Sequence, residues 1–200
     1  MKLYFSPGAC SLSPHIALIE AGLPYTLALA STKTHQLQDG TDFYTINPHG
    51  YVPVLELDNG QRLREGPAIM QYIADLAPSS GLAPSNGTFE RYQLQEWLSF
   101  IGTEIHKSFS PLFNPAMPNA AKDLARSLII KRLHWVDQQL SSQDYLMGSQ
   151  FTVADAYLFT VCSWTRFVAV DITHLKHLAQ YLAHIGARPS VQQAIAEEKQ

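Results

Sequence analysis

The chain has 200 residues, 46% of them hydrophobic, which is enough to bury a substantial core in one large domain or two small ones. Only 16% of the residues are charged and the formal net charge is −3, so the clustered basic excess of nucleic-acid-binding proteins is absent. No stretch approaches the roughly 20 apolar residues that a membrane-spanning helix needs, and the N-terminus lacks the pattern of an export signal. We therefore expect no nucleic-acid or membrane partner, and a cytoplasmic location in which the two cysteines, Cys10 and Cys162, stay reduced.

Residues 1–78 are predicted to form a first domain in which strand and helix patterns alternate. Its opening part predicts a βαβ unit: a strand at Lys2–Phe5, a helix over about residues 11–21 that Gly22 ends, and a strand at residues 25–29. A weak, polar, irregular helical stretch is expected over about residues 35–46.

The rest of the first domain predicts a hairpin and a helix. The largely apolar run of residues 51–57 and the short run of residues 61–63 are joined by the turn Asp58–Gly60. Pro53 cannot donate to a ladder, so it indicates an edge or end position, or a turn with a cis peptide bond. Gly66 and Pro67 then begin a helix that runs to about residue 77.

Turn residues are dense between residues 78 and 87, and we place a linker at residues 79–87. From residue 88 to residue 200 every periodic segment predicts a helix, which gives an all-helical second domain. The predicted helices cover about residues 89–110, 119–141, 153–168 and 174–185, with a short one after Pro189. Thr152 and Asp155 match a capping box, a structural role that we favour over a catalytic one.

Cys10 is the first candidate for chemistry, because it lies where the first strand turns into the first helix. The start of a helix presents unpaired N–H groups and the positive end of the helix dipole, both of which favour a thiolate. There is no Cys-x-x-Cys pair, so a partner thiol must come from outside the chain. The alternative is that Cys10 is a small buried hydrophobe, as many free cysteines are.

A polar stripe on the first long helix of the second domain is the other candidate. Ser99, Thr103 and His106 are spaced i, i+4, i+7, which places them on one helical face. This stripe is predicted to line a cleft containing Cys10, although His106 alone would be read as a surface histidine. The opposite face carries Leu94, Trp97, Leu98, Ile101 and Ile105. No histidine or cysteine spacing matches a metal motif, and we expect no metal.

Four segments together resemble the bacterial beta class of glutathione transferases. They are PGACSLSPH (residues 7–15), NPHGYVP (47–53), EGPAIMQY (65–72) and FTVADAYLF (151–159). The cysteine-bearing segment is specific to that class. The resemblance implies the glutathione transferase fold, an α+β thioredoxin-like domain (βαβ-ββα) followed by an all-α helical-bundle domain. It also implies glutathione as co-substrate and a homodimer.

In the first domain the resemblance implies four contacts with glutathione. Val52, before a cis Pro53, would offer its backbone N–H and C=O to the cysteinyl part, as an added strand would. Glu65 would accept from the α-amino group. The N–H of Gly66 at a helix start would meet the γ-glutamyl carboxylate.

The resemblance also implies the groups around the sulfur. Cys10, with its neighbour Ser11, would pair with the glutathione sulfur by a hydrogen bond or a mixed disulfide. The residue matching His106 approaches this cysteine, and the one matching Glu104 reaches glutathione across the dimer interface. The other implied glutathione-binding positions in the second domain are Ser99 and Thr103.

Four positions depart from the family pattern. Relatives usually have tyrosine where this chain has Phe5, and most outside the beta class have serine where Gly66 stands. Many have lysine at the position of His35, which would hold the glycine carboxylate of glutathione, and asparagine is common where Ser99 stands. Phe5 lacks the hydroxyl of tyrosine, and Gly66 lacks that of serine. The lysine replaced by His35 has a fixed charge, and the Ser99 side chain is shorter than that of asparagine.

Two functions follow from these patterns. The first is an enzyme that binds glutathione and transfers its thiol to an electrophilic, largely apolar substrate held by the helical domain, with Cys10-dependent thiol-disulfide exchange also open to it. The second is a non-catalytic, glutathione-transferase-like ligand-binding or interaction protein. The enzyme is the leading hypothesis, and the departures at Phe5, His35 and Ser99 keep the second one open.

Overall fold

The computed structural model describes residues 1–199, which divide into two compact units. One unit comprises residues 1–83 together with residues 188–199, and the other comprises residues 84–187. The division after Ala83 lies within the predicted linker. The assignment of all residues from 88 onward to the second domain differs from the structure, because the C-terminal segment packs with the first unit.

The first unit contains a mixed four-stranded sheet in the order β2-β1-β3-β4. β1 (Lys2–Phe5) pairs in parallel with β2 (Thr26–Leu29) and antiparallel with β3 (Val54–Glu56), which pairs antiparallel with β4 (Arg62–Leu63). The parallel pair confirms the predicted βαβ unit, and the β3–β4 pair confirms the hairpin. The loop that carries Cys10 follows the carboxyl end of β1.

The α-helices share the amphipathic or fully apolar patterns expected of packed helices. In chain order they are α1 (Leu12–Glu20), α2 (Gly66–Leu76), α3 (Phe89–Phe100), α4 (Lys107–Phe113), α5 (Asn119–Gln139), α6 (Val153–Cys162), α7 (Lys176–Gly186) and α8 (Pro189–Glu197). No helix within residues 1–199 is long and apolar enough to cross a bilayer.

Two predicted helices are irregular in the structure. The stretch predicted over residues 35–46 consists of turns and isolated bridges with a single 3-10 turn at Phe43–Thr45, because few apolar residues are spaced to bury a helical face there. The helix predicted over residues 89–110 is interrupted by a π-helical segment, Ile101–His106, between α3 and α4. Hydrogen bonds from i to i+5 in that segment change the direction of the side chains that follow.

Helix α8 belongs to the first unit because it is tied to α1. The Arg188 guanidinium, just before α8, donates to both carboxylate oxygens of Glu20 at 2.9 and 3.0 Å. The Ser190 hydroxyl donates to the same carboxylate. The start of α8 is thereby fixed to the end of α1.

Each unit has its own buried core. In the first, a buried cluster contains Tyr4, Ala30, Phe43, Ile46, Val52 and Val54. In the second, the predicted capping box at the start of α6 is confirmed: the N–H and hydroxyl of Thr152 donate to the buried Asp155 carboxylate at 2.8 and 3.0 Å. Asp155 also accepts from the Tyr181 hydroxyl at 2.9 Å, so its role is structural.

Candidate active site

The loop that carries Cys10 is closed by its own hydrogen bonds. The Ala9 N–H donates to the Ser6 carbonyl at 3.0 Å. The buried Ser11 hydroxyl accepts from the Ser6 N–H at 3.1 Å and donates to the Ser6 carbonyl at 3.2 Å. Gly8 has φ +70°, a conformation that favours glycine. The Ser11 side chain is therefore used within the loop, and its backbone N–H acts on the Cys10 sulfur.

Cys10 lies just before α1 rather than in its first turn. Ser11 is the N-cap and the helix begins at Leu12. The half-buried Cys10 thiol donates to the Val52 carbonyl oxygen at 3.2 Å. The sulfur is therefore held against the turn that contains the cis Val52–Pro53 peptide bond.

The protonation state of Cys10 differs from the sequence expectation of an anionic sulfur. Burial raises the pKa of the Cys10 thiol to about 12. The backbone N–H groups of Cys10 and Ser11 lower this pKa, as a helix start should, while the carboxylates of Glu65 and Glu198 raise it further. Loss of solvation outweighs the amides, so in the structure the group is a thiol that donates a hydrogen bond.

Glu65 and Gly66 stand where α2 begins. Glu65 is the N-cap residue, but its exposed side chain makes no capping hydrogen bond. A Cβ at Gly66 would lie 3.9 Å from the Pro53 ring, so the helix start lies next to the cis-proline turn. A carboxylate beside a helix N-terminus can hold an ammonium and a carboxylate on one ligand at the same time.

His35 is held in a fixed orientation. It has φ +54°, its Nδ1 lies 3.2 Å from the Gly50 carbonyl oxygen, and its ring centroid is 4.7 Å from that of Tyr44. The contact with a carbonyl requires Nδ1 to donate. The other ring nitrogen, Nε2, is left to meet a ligand.

The polar stripe predicted in the second unit spans an irregular part of the helix. Ser99 and Thr103 are exposed, and the Thr103 hydroxyl donates to the Ser99 carbonyl at 2.9 Å. Glu104 forms an ion pair with Arg132 of α5 at 2.6 Å. His106 is the last residue of the π-helical segment that also contains Thr103, and a shared role of the three stripe residues stays a prediction.

His106 lies in an aromatic cluster of the second unit. Its Nδ1 is 2.6 Å from the Tyr157 hydroxyl, and its ring centroid is 4.9 Å from that of Trp164. Phe109 and Phe113 pack against the same tryptophan at 5.5 and 5.9 Å. Burial lowers the pKa of His106 to about 4, with a smaller contribution from the charge on Lys107. His106 is therefore a neutral imidazole at neutral pH.

Comparison with known proteins matches both units. The family described as Glutathione S-transferase, N-terminal domain, matches residues 8–76, and the one described as Glutathione S-transferase, C-terminal domain, matches residues 119–184. Glutathione S-transferase GstA of Escherichia coli O157:H7 is 42% identical over 198 residues, which cover 99% of this chain and 98% of the relative.

The chain belongs to the glutathione S-transferase family.

Solved structures agree at the level of class and fold. A ternary complex of BphK, a bacterial GST, is 50% identical, covers 100% of both chains and has a TM-score of 0.98. A beta-class enzyme of Sphingomonas chungbukensis is 45% identical, with 99% and 98% coverage and a TM-score of 0.96. A sphingomonad glutathione S-transferase solved with glutathione is 44% identical, with 100% and 99% coverage and a TM-score of 0.96. The inferred beta-class resemblance and fold class are confirmed.

Within this glutathione S-transferase family member, the sequence reasoning missed Tyr157 and Trp164. Tyr157 lies in the segment FTVADAYLF, which matched the family, but its apolar neighbours indicated a buried helix only. Trp164 lies within the helix predicted over residues 153–168, but the structure ends α6 at Cys162 and places Trp164 in a 3-10 turn. The signal that was available is chemical, because a buried tyrosine hydroxyl needs a hydrogen-bonding partner.

Proposed function

We propose that this protein is a glutathione transferase that binds glutathione in its first unit and transfers the glutathione thiol to electrophilic, apolar substrates. The observation that supports this most directly is the Cys10 thiol held 3.2 Å from the Val52 carbonyl, beside the cis Val52–Pro53 bond. An extended tripeptide that pairs with the Val52 backbone would place its own sulfur next to Cys10.

The ligand's charged ends match the groups around this turn. The Glu65 carboxylate and the Gly66 N–H would hold the α-amino and α-carboxylate groups of the γ-glutamyl residue. His35 would meet the glycine carboxylate through Nε2, since Nδ1 is directed at Gly50. The backbone N–H of Ser11 would add a donor near the sulfur.

Cys10 is proposed to act as a thiol donor toward glutathione. A protonated Cys10, as its raised pKa requires, can redirect its S–H from the Val52 carbonyl to the glutathione sulfur. That hydrogen bond would stabilise the glutathione thiolate. The thiolate would then attack the electrophile, forming a carbon–sulfur bond while the leaving group departs with its electron pair and the glutathione thiol proton passes to solvent.

Thiol-disulfide exchange is the second reaction proposed for Cys10. After its thiol proton passes to solvent, Cys10 would attack the glutathionyl sulfur of a mixed disulfide, forming a Cys10–glutathione disulfide and releasing the other sulfur as a thiolate. A glutathione thiolate would then attack this bond, forming glutathione disulfide and releasing Cys10 as a thiolate. Each step consumes one thiolate and one disulfide and produces one thiolate and one disulfide, so no outside oxidant is consumed.

The second unit is proposed to hold the electrophile and further ligand contacts. The cluster of His106, Tyr157, Trp164, Phe109 and Phe113 offers an apolar surface, and Phe113 is 52% exposed. His106 would act as a neutral hydrogen-bonding group near the sulfur. The remaining proposed glutathione contacts are Ser99, Thr103 and Glu104.

A homodimer in the cytoplasm completes the proposal. Helices α3 and α5 expose several large apolar side chains, and exposed apolar surface of this kind is typical of a protein interface. These side chains are Phe89, Tyr92, Leu124, Leu128 and Trp135. Glu104 would have to exchange its partner Arg132 for a ligand to reach glutathione across such an interface.

Turnover measured alongside glutathione binding tests the proposed function. The purified protein should bind immobilised glutathione, elute with free glutathione, and conjugate glutathione to an activated aryl chloride. Retention without conjugation or thiol transfer would instead support the non-catalytic binding protein. A crystal soaked with glutathione should show its sulfur in contact with Cys10.

A further inference from the structure

The Tyr157 hydroxyl lies against the π-helical segment that ends at His106. Tyr157 belongs to α6 and is 3% exposed, and its hydroxyl oxygen is 2.6 Å from His106 Nδ1. A Cβ at Gly102, four residues before His106, would lie 3.6 Å from the same oxygen. A buried phenol needs a hydrogen-bonding partner, and the imidazole of His106 supplies one.

The direction of this hydrogen bond follows from the charge of the ring and from the distance. Burial lowers the pKa of His106 to about 4, with a smaller effect of the charge on Lys107. The ring is therefore neutral at pH 7, and one of its nitrogens carries a proton while the other accepts. N–H donors usually lie about 2.7–3.2 Å from an oxygen, whereas hydroxyl donors approach their acceptors to about 2.5–3.0 Å. At 2.6 Å the Tyr157 hydroxyl is the donor and Nδ1 is the acceptor.

Acceptance at Nδ1 determines where the imidazole proton lies and how the ring is oriented. The proton of the neutral ring is on Nε2, because the hydrogen bond at one nitrogen selects the tautomer. The Trp164 ring meets the imidazole edge to face, with centroids 4.9 Å apart and planes inclined by 65°. A half-turn of the imidazole would replace Nδ1 with a carbon and lose the bond to the Tyr157 hydroxyl. Tyr157 therefore fixes both the tautomer and the orientation.

We propose that Tyr157 is a positioning residue for His106: by donating to Nδ1, its hydroxyl keeps the proton of the neutral ring on Nε2, where it can be donated to the glutathione sulfur. The inference rests on the proposed place of His106 near that sulfur. A donor at Nε2 favours the glutathione thiolate, because a hydrogen bond to the charged form stabilises it. The opposite tautomer would present a lone pair at Nε2, which favours the neutral thiol instead.

A second tyrosine–histidine pair in the same unit provides a matched control. The Tyr145 hydroxyl lies 3.0 Å from Nε2 of His184 in α7, and their ring centroids are 5.4 Å apart. Neither residue belongs to the aromatic cluster of His106. Tyr145→Phe therefore removes an equivalent hydroxyl and leaves every member of that cluster in place.

The first test identifies the protonated nitrogen of His106 by nuclear magnetic resonance at pH 7 without glutathione. Long-range proton–nitrogen correlations in protein labelled with nitrogen-15 histidine distinguish the two ring nitrogens, and His106→Gln assigns the signals. The wild type should carry the proton on Nε2. In Tyr157→Phe the two nitrogen shifts should move toward each other, as in a mixture of tautomers, and in Tyr145→Phe they should not change. A proton on Nδ1 in the wild type, or unchanged shifts in Tyr157→Phe, would overturn the proposal.

The second test measures the consequence for glutathione. Tyr157→Phe should reduce the ultraviolet absorbance of the bound glutathione thiolate at pH 7 and lower kcat for conjugation about tenfold, with little change in KM. The physical reason is that a donor displaced from its best geometry loses part of its stabilisation of the thiolate. Tyr145→Phe should match the wild type in all three quantities, and wild-type kcat in a folded Tyr157→Phe protein contradicts the proposal.

The tautomer measurement also covers two ways in which the kinetic test could fail. If Tyr157→Phe does not fold, the position of the proton in the wild type decides the proposal. Because the tautomer is measured without glutathione, its result stands apart from any failure of the proposed activity.

Discussion

The Cys10 thiol donates to the Val52 carbonyl oxygen across 3.2 Å, so the sulfur and the cis-proline turn are joined before any ligand arrives. The hydrogen bond and the raised pKa, about 12, both correspond to a protonated Cys10, since burial favours the neutral thiol and only the neutral thiol can donate. A cysteine in this state is suited to support another sulfur's negative charge.

Cys10→Ala should abolish glutathionylation of the protein and thiol transfer while leaving measurable glutathione binding, because the backbone and charged contacts proposed for the ligand remain. Binding can be followed by calorimetry and thiol transfer with a mixed-disulfide substrate. Cys162→Ala, which changes a buried thiol in α6, is the matched control and should keep both. Undiminished thiol transfer in Cys10→Ala would remove this residue from the mechanism.

His35→Lys should tighten glutathione binding at pH 7. Lysine carries a full positive charge at this pH, and the proposed partner of the side chain is the glycine carboxylate of glutathione. Dissociation constants of the wild type and the variant provide the measurement. His49→Lys adds a charge at an exposed position and should leave the affinity unchanged. A His35→Lys dissociation constant equal to that of the wild type would contradict the assignment.

Gly50→Ala should lower both stability and glutathione affinity more than Gly60→Ala does. Both glycines have positive φ, +68° and +83°, so each variant is strained by about 1 kcal/mol or more. A Cβ at Gly50 would also lie 2.8 Å from the Tyr44 ring and 2.9 Å from His35 Nδ1, whereas nothing lies within 4 Å at Gly60. Urea unfolding and calorimetry can measure the two effects. Identical losses in the two variants would show that the His35 contact is not sensitive to this displacement.

His106 should contribute to the free energy of unfolding, and this contribution should decrease as the pH is lowered. The folded pKa, about 4, lies below the ordinary value of 6.5, so the unfolded chain binds the proton first. The term is fully present above about pH 6.5 and is lost as pH falls toward 4, by up to about 3 kcal/mol. His106→Gln should reduce the difference in unfolding free energy between pH 7 and pH 4.5. An unchanged difference would mean that this imidazole titrates normally.

Leu128→Glu should dissociate the proposed homodimer, which light scattering after gel filtration would detect. Leu128 is 43% exposed on α5, the helix that also carries the 42% exposed Trp135. A charge placed in an apolar interface is costly to desolvate. Leu76→Glu, at a 46% exposed leucine of α2, serves as the control and should leave the mass unchanged. A monomeric wild type would refute the dimer directly.

Local patterns were sufficient to predict much of the fold. The strand-turn-helix around Cys10, the hairpin, the proline at a cis bond and the capping box all depend on residues close in sequence, and the structure contains each of them. The partner of α8 was not predictable, because an amphipathic pattern shows that a face is buried but not against which helix. The π-helical segment was equally hidden, since Leu98, Ile101 and Ile105 have spacings compatible with an ordinary helix.

The protonation of Cys10 was misjudged for a related reason. A helix start is visible in the sequence, and its effect on a nearby thiol has the expected sign in the structure. The opposing effects come from burial and from Glu65 and Glu198, which the chain folds around the sulfur from distant positions. Contacts between residues far apart in sequence depend on the tertiary structure. The sequence of the loop alone therefore could not show whether the Cys10 pKa is raised or lowered.

The assignment of residues 188–199 to the first unit has a consequence for biosynthesis. Residues 1–83 leave the ribosome early, yet Glu20 in α1 can meet its partners Arg188 and Ser190 only after the whole helical unit has been translated. Until then the surface that α8 covers is exposed in the nascent first unit. The helical unit is continuous in the chain, and its rapid folding shortens this exposure. The thiol-bearing unit can thus be completed only after residues 84–187 have been synthesised.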